Sequence, residues 1–143
     1  MRHATLEDFD KLKSVFKQHR DVFPYLRFDG LKVKIETGKV IYDKGVIITY
    51  NRYQRKQKLG QKCIAEKGDI VVQEIVKEEG GHPQDVWSQF VKYVDSPIWL
   101  TVRRDNYRAK QFYEKVGMRI VGDISWSNGK IPGDVYFQKV RNV

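Results

Sequence analysis

LTVRRDNYRAKQFYEKVGM, residues 100–118, is the stretch on which the fold turns. Ile98, Leu100 and Val102 alternate with Trp99 and Thr101, which is the period of a buried strand. Asp105 or Asn106 follows, and either can cap a helix by accepting a bond from a free backbone amide. Ala109, Phe112, Tyr113 and Val116 then recur at spacings of three and four, so they share one helical face. Gly117 is placed to end the helix, because glycine adopts a left-handed conformation at little cost. By periodicity alone Tyr113 is either a core aromatic or a positioned hydroxyl.

Working outward, a helix is expected to begin at Thr5 or Asp8, with Leu6, Phe9, Leu12, Val15 and Phe16 on one face. Pro24 ends that segment. The stretch 25–36 reads either as a short helix or as an irregular strand. Residues 39–42 and 45–50 flank Asp43-Lys44-Gly45, a hairpin signal. Residues 70–76 form a β-branched run, and 63–65 extend a strand within the long 52–67 connection. A helix over 83–94 has Val86, Trp87, Phe90 and Val94 facing inward, with Pro83 at a first-turn position where no ladder donor is lost. Strands over 118–126 and 134–140 close the chain around the turn-rich SNGKIPGD. The longer ISWSNGKIPGD segment, with Ser125, Trp126 and Ser127, is a candidate wall for an acceptor. Strand pairs, then alternating strands and helices, imply a mixed α/β (α+β) domain spanning 1–143.

Asn106, Ala109, Phe112, Tyr113 and Gly117, in that order after a strand, resemble the GNAT acyltransferase pattern N-x-x-A-x-x-F-Y-x-x-x-G-F/M. The opening R-x-A-T-x-x-D, residues 2–8, is similar to the first strand and helix of that family. The resemblance covers nearly the whole chain. It implies a GNAT-like, mostly antiparallel central sheet flanked by helices, with acetyl-CoA as cosubstrate and an amine acceptor. It gives Tyr113 the role of acid toward the departing sulfur and sets Asn106 near the cofactor. The backbone of Ile75 and Val76 would meet the pantetheine arm and polarise the thioester. The family's pyrophosphate loop, R/Q-x-x-G-x-G/A, falls here on KEEGGHPQDVW, residues 77–87. Gly80, Gly81, His82 and the amides of Gln84 and Asp85 are then the cofactor ligands, with Arg104 and Lys110 as phosphate partners. This loop lacks the family's first residue, carries Glu78 and Glu79, and loses one amide at Pro83.

Glu74 shares its strand face with Ile70, Val72 and Val76. A carboxylate there is desolvated, which raises its pKa toward that of a useful base. It is either the general base or half of an ion pair with a lysine or arginine; Asp69 and His82 are lesser candidates for the base.

The 143 residues carry 41% hydrophobic and 13% aromatic side chains, enough for one proper core. No apolar run approaches the roughly 20 residues of a membrane helix. Arg2 and His3 follow Met1 without an apolar core, so a cytoplasmic protein with no membrane association is expected. Cys63 is the one cysteine and the three histidines are scattered, so neither a disulfide nor a metal site is expected. Cys63 is read as a packed residue rather than a reactive thiol.

Net charge is +9, of which +7 lies before Val72. Arg52, Arg55, Lys56, Lys58 and Lys62 concentrate it beside Tyr50 and Tyr53. Such a segment is a solvated hairpin tip, a phosphate contact for coenzyme A, or a nucleic-acid surface. The leading expectation is an acetyl-CoA-dependent N-acetyltransferase, monomer or homodimer, whose acceptor is anionic or nucleic-acid-associated because a basic protein repels polyamines. The alternatives are a catalytically degenerate module that binds nucleic acid through residues 52–67, and transfer of a longer acyl group.

Overall fold

A computed structural model describes residues 1–140. After a 3₁₀ turn at Leu6–Asp8 come α1 (Phe9–Lys17), α2 (Phe28–Glu36), β1 (Val40–Asp43), β2 (Val46–Arg52), β3 (Gln57–Leu59), β4 (Cys63–Ala65), β5 (Ile70–Lys77), α3 (Pro83–Val94), β6 (Ile98–Arg103), α4 (Tyr107–Lys115), β7 (Arg119–Trp126) and β8 (Ile131–Gln138). Six strands make one sheet in the order β1-β2-β5-β6-β8-β7, and β3 with β4 forms a separate hairpin. The β1/β2, β6/β8 and β7/β8 pairs are antiparallel and β5/β6 is parallel. The chain divides into two compact units.

The first unit comprises Met1–Tyr50 and Gln73–Phe90. Its core joins Leu12, Val15 and Phe16 of α1, Leu31 and Ile35 of α2, Val40, Ile47 and Val76. Asp8 starts the helical segment by accepting from the Thr5 amide at 2.8 Å, and Arg2 grips the same carboxylate at 2.9 and 3.2 Å. Residues 28–36 resolve as helix because Leu31 and Ile35, four apart, are the buried pair; Val33, which suggested alternation, is 59% exposed. The β1–β2 register, from Val40↔Thr49 to Asp43↔Val46, leaves Lys44 and Gly45 as a two-residue turn with φ of 46° and 72°. This is the left-handed geometry that such hairpins favour.

The second unit comprises Asn51–Val72 and the stretch beginning at Val91. β6 is buried at Ile98, Trp99, Leu100 and Val102 and pairs with β8 along its whole length. Cys63 and Ala65 pack with Trp99 and Val135 beneath the β3–β4 hairpin. Burial raises the thiol pKa of Cys63, whose Sγ lies 3.5 Å from the Val121 carbonyl, so it is a packed residue. Asp69 is buried and accepts from Trp99 Nε1 and from the Glu66 amide, each at 2.9 Å. One boundary needs correction: β8 starts at Ile131 and ends at Gln138, rather than running over 134–140. Only residues 127–130 form the turn, with Ser127, Asn128 and Gly129 all at positive φ. Pro132 and Gly133 therefore stay in the ladder, opposite Ser125 and Ile124.

Candidate active site

In the first unit, the loop after β5 is held by the β1–β2 turn. The Glu78 amide donates to the Gly45 carbonyl at 2.8 Å, and the His82 amide donates to the Lys44 carbonyl at 3.1 Å. The Gly81 amide donates to the Glu78 carbonyl at 3.0 Å. Two of the expected anion donors, Gly81 and His82, thus bond within the fold. The approach is close enough to demand glycine, since a Cβ on Gly81 would lie 2.6 Å from the Gly45 carbonyl oxygen. Helix α3 makes its first backward bond from Val86 to His82 at 3.3 Å. The amides of Gln84 and Asp85 precede that bond, where a helix has no internal acceptor to offer. They stand at the positive end of the helix, which suits an anion.

Glu78, the acidic departure in this loop, has its carboxylate already engaged. Tyr42 donates to one oxygen at 2.5 Å and Lys11 pairs with the other at 3.3 Å. Burial, and then this bond to Glu78, push the Tyr42 pKa up to about 12. The sequence contained no signal for this pairing, which joins residues 36 apart.

Glu74 projects from β5 in the same unit. Its Oε1 accepts from the Thr49 hydroxyl at 2.6 Å, and its own amide donates back to that hydroxyl at 3.0 Å. Burial lifts the Glu74 pKa above the usual carboxylate range, against the Thr49 bond and the charge of Lys34. Burial likewise lowers the Lys34 pKa, opposed by Glu74. Lys34 also donates to the Tyr50 carbonyl at 3.2 Å. Both alternatives for Glu74 thus have a physical counterpart: a desolvated carboxylate, and a lysine within electrostatic reach. Beside them is a cavity of about 400 Å³ between the α1–α2 connection and β5, with Phe23, Leu26 and Leu31 as apolar lining. The sequence did not disclose it, because residues 22–34 line one wall and 73–74 another.

Ile75 and Val76 occupy the far half of β5. The parallel β5–β6 ladder consists of Ile70↔Ile98 and Val71↔Trp99. The ladder ends there, and the rest of β5 continues beyond it.

In the second unit, Asn106 caps α4 by accepting from the Ala109 amide at 3.3 Å. Lys110 is not directed at solvent: its ammonium lies 2.6 Å from Asp134 Oδ2, and Arg104 reaches Oδ1 of the same residue at 3.3 Å. Burial works against ionisation of Asp134, and these two cations outweigh it, so its pKa lies below the ordinary value. Asp134 read as a turn residue in the sequence and is the anchor of this corner. Tyr113 is half-buried, with its ring edge-on to Tyr136 at 5.5 Å. Burial, then the neighbouring Tyr136, raises its pKa, so it is protonated at neutral pH. Tyr136, on β8, is fully buried; its hydroxyl has no hydrogen-bond partner among the described residues, and burial pushes it up to about 12. Nothing in the sequence signalled this buried hydroxyl beside Tyr113, since Tyr136 has the appearance of an ordinary strand aromatic.

The basic segment is also in the second unit. Arg52 ties down the end of α3, donating to Gly68 O at 2.9 Å, Ser96 Oγ at 2.9 Å and Val94 O at 3.1 Å. Lys56 and Glu66 form an exposed pair at 3.9 Å, a contact of little energetic weight. Arg55, Lys58 and Lys62 are exposed, with Lys58 opposite Ile64 in the hairpin register. Among the described residues no group of three or more His, Cys, Asp or Glu side chains is placed to hold a metal ion, and no helix is long and apolar enough to cross a membrane.

The fold assembled from these elements is that of the GNAT acetyltransferases. The chain is similar to Ard1 from Thermoplasma volcanium, with 14% identity, 99% of this chain and 97% of that chain covered, and a TM-score of 0.73. It is similar also to Arabidopsis thaliana NAA60, solved in complex with acetyl-CoA, at 14% identity, 97% coverage of each chain and a TM-score of 0.67. The ribosomal-protein-S18-alanine N-acetyltransferase from Escherichia coli matches at 9% identity, over 99% of this chain and 93% of that one, with a TM-score of 0.66. No family model matches the sequence, and no curated protein matches it.

Proposed function

We propose that this protein is an N-acetyltransferase that moves an acetyl group from acetyl-CoA to a primary amine by direct attack. The observation that carries the reading is the state of the loop after β5. Glu78, which would repel a pyrophosphate, is bound by Tyr42 and Lys11, while the first-turn amides of Gln84 and Asp85 remain for an anion. The β5 edge beyond Val71 suits an extended thioester arm, which can pair with a strand through main-chain bonds. An amide of Ile75 or Val76 would then stabilise the oxyanion. Gly80, Gly81 and His82 shape the loop rather than supply all of its donors.

Glu74, with its raised pKa, takes the proton from the attacking ammonium. The freed amine lone pair forms the C–N bond, the C–S bond breaks, Tyr113 supplies a proton to the leaving sulfur, and the second nitrogen proton returns to the Tyr113 oxygen. Asn106 holds the start of the helix that carries Tyr113, and Lys110 with Arg104 fixes that helix to Asp134. The chain's positive charge disfavours polyamines and suits an acceptor that carries an anionic group, on a small molecule or a nucleic acid. The test is amine-dependent release of free thiol from acetyl-CoA. Loss of this release in Tyr113→Phe and Glu74→Gln variants that melt normally supports the reading, and absence of release with every amine class opposes it.

A second reading is supported by the exposed Arg55, Lys58 and Lys62 on the hairpin: binding of nucleic acid without catalysis. Salt-dependent binding to random-sequence RNA or DNA, with no affinity for acetyl-CoA, is its expected signature.

A further inference from the structure

The cavity against Glu74 has an uncommon composition for a site that receives an amine. One wall is apolar, from Phe23, Leu26 and Leu31, yet two cations share the opening with the carboxylate. Lys34, on α2, is close enough for its charge to lower the Glu74 pKa. Arg27, at the start of α2, also lines the cavity, and its side chain is 82% exposed with Asp29 3.6 Å away as a loose partner. A plain alkylamine entering here would meet Glu74 but bring its positive charge beside Lys34. A polyamine would bring several. A peptide N-terminus would present its amine with a neutral amide one carbon away, which offers the cations a carbonyl acceptor but no opposite charge.

We infer that the acceptor is a free amino acid with an apolar side chain, its ammonium directed to Glu74, its carboxylate to Lys34 and Arg27, and its side chain to Phe23, Leu26 and Leu31. This inference rests on the acetyltransferase reading for its chemistry but not for its binding. The size agrees: about 400 Å³ lies within the usual range for small-molecule sites. The transfer conserves atoms. The ammonium first gives one proton to Glu74. The free amine then attacks the thioester carbonyl, the C–N bond replaces the C–S bond, and the second nitrogen proton replaces the one that Tyr113 gives to the sulfur. The products are an N-acetyl amino acid, the free thiol and a protonated Glu74 that returns its proton to solvent. Desolvation makes the pairing selective, because a charge-assisted hydrogen bond in a half-buried site is stronger than the same contact at the surface.

The experiment is a calorimetric titration of the full chain with phenylalanine, phenylalaninamide, phenethylamine and spermidine, followed by thiol-release assays with acetyl-CoA and the same four amines. Phenylalanine should bind more tightly than phenylalaninamide or phenethylamine by about tenfold to a hundredfold, the loss of one hydrogen bond to a charged group. Arg27→Ala, at an exposed position, should weaken phenylalanine binding while leaving phenethylamine unchanged. Lys34→Met should do the same to a greater degree, with a melting curve to check its fold. Equal affinity for phenylalanine and phenethylamine, tighter binding of spermidine, or no binding of phenylalanine would each overturn the inference. Selective binding of phenylalanine without thiol release would uphold the amino-acid site while contradicting both its role as acceptor and the acetyl-transfer reading. Thiol release that ignores the carboxylate would do the reverse.

Discussion

Adding one methyl group at Gly81 tests how the loop after β5 is built. The new Cβ would lie 2.6 Å from the Gly45 carbonyl oxygen, 3.1 Å from the Glu78 carbonyl oxygen and 3.2 Å from the Gly45 carbonyl carbon. All three neighbours are backbone, so no side-chain rotation relieves the overlap. Relief requires the loop to move off the β1–β2 turn, which stretches the 2.8 Å bond from Glu78 to Gly45 and the 3.1 Å bond from His82 to Lys44. Overpacking of this kind costs about 2 kcal/mol. For a chain of this size that lowers the melting temperature by about 6 °C. Gly30→Ala is the control, because Gly30 lies within α2 and a Cβ there meets nothing within 4 Å. It should stabilise the protein by about 0.5–1 kcal/mol, the helix preference of alanine over glycine. Thermal and urea melts of both variants measure the contrast. A Gly81→Ala protein as stable as wild type would refute the proposed fit between loop and turn.

Other perturbations reach the rest of the account. Glu74 has a raised folded-state pKa, so the stability it contributes is fully present below the ordinary carboxylate range and is lost as pH rises through the raised value. Glu74→Gln should therefore gain stability relative to wild type above neutrality and lose that advantage in acid; urea midpoints showing the opposite order would contradict the burial argument. Asp69→Ala leaves the Trp99 indole N–H and the Glu66 amide without their acceptor, at a cost of about 3 kcal/mol, to be read from the urea midpoint and the tryptophan emission. An unchanged midpoint would mean that water replaces the carboxylate. Asp134→Ala removes the shared partner of Lys110 and Arg104 and should destabilise the protein by about 1–3 kcal/mol, with greater protease sensitivity at α4.

Local signals made most of the fold legible. Helix α3 occupies the expected residues because Pro83 marks its start and four inward residues keep a strict helical spacing. The α4 cap at Asn106 and the β1–β2 turn were legible for the same reason, since each is settled by a few neighbouring residues. Segment 28–36 was ambiguous because exposed Val33 imitates a strand period. The site was harder. The Glu78–Tyr42–Lys11 cluster, the Lys110–Asp134 pair and the buried Tyr136 hydroxyl all depend on which strands and helices become neighbours. Charge clustering pointed to Arg52, and the family resemblance to Lys110, as ligand contacts; in the structure Arg52 bonds the end of α3 and Lys110 pairs with Asp134. The division into two compact units likewise has no marker in the chain, which contains no linker-like segment at residues 51, 73 or 91.

Calorimetric titration with acetyl-CoA, on wild type beside Tyr113→Phe, tests the central claim most directly. The account predicts saturable one-to-one binding by both proteins, with thiol release in the presence of amine retained only by wild type. No binding of acetyl-CoA at millimolar concentration by well-folded wild-type protein would contradict it.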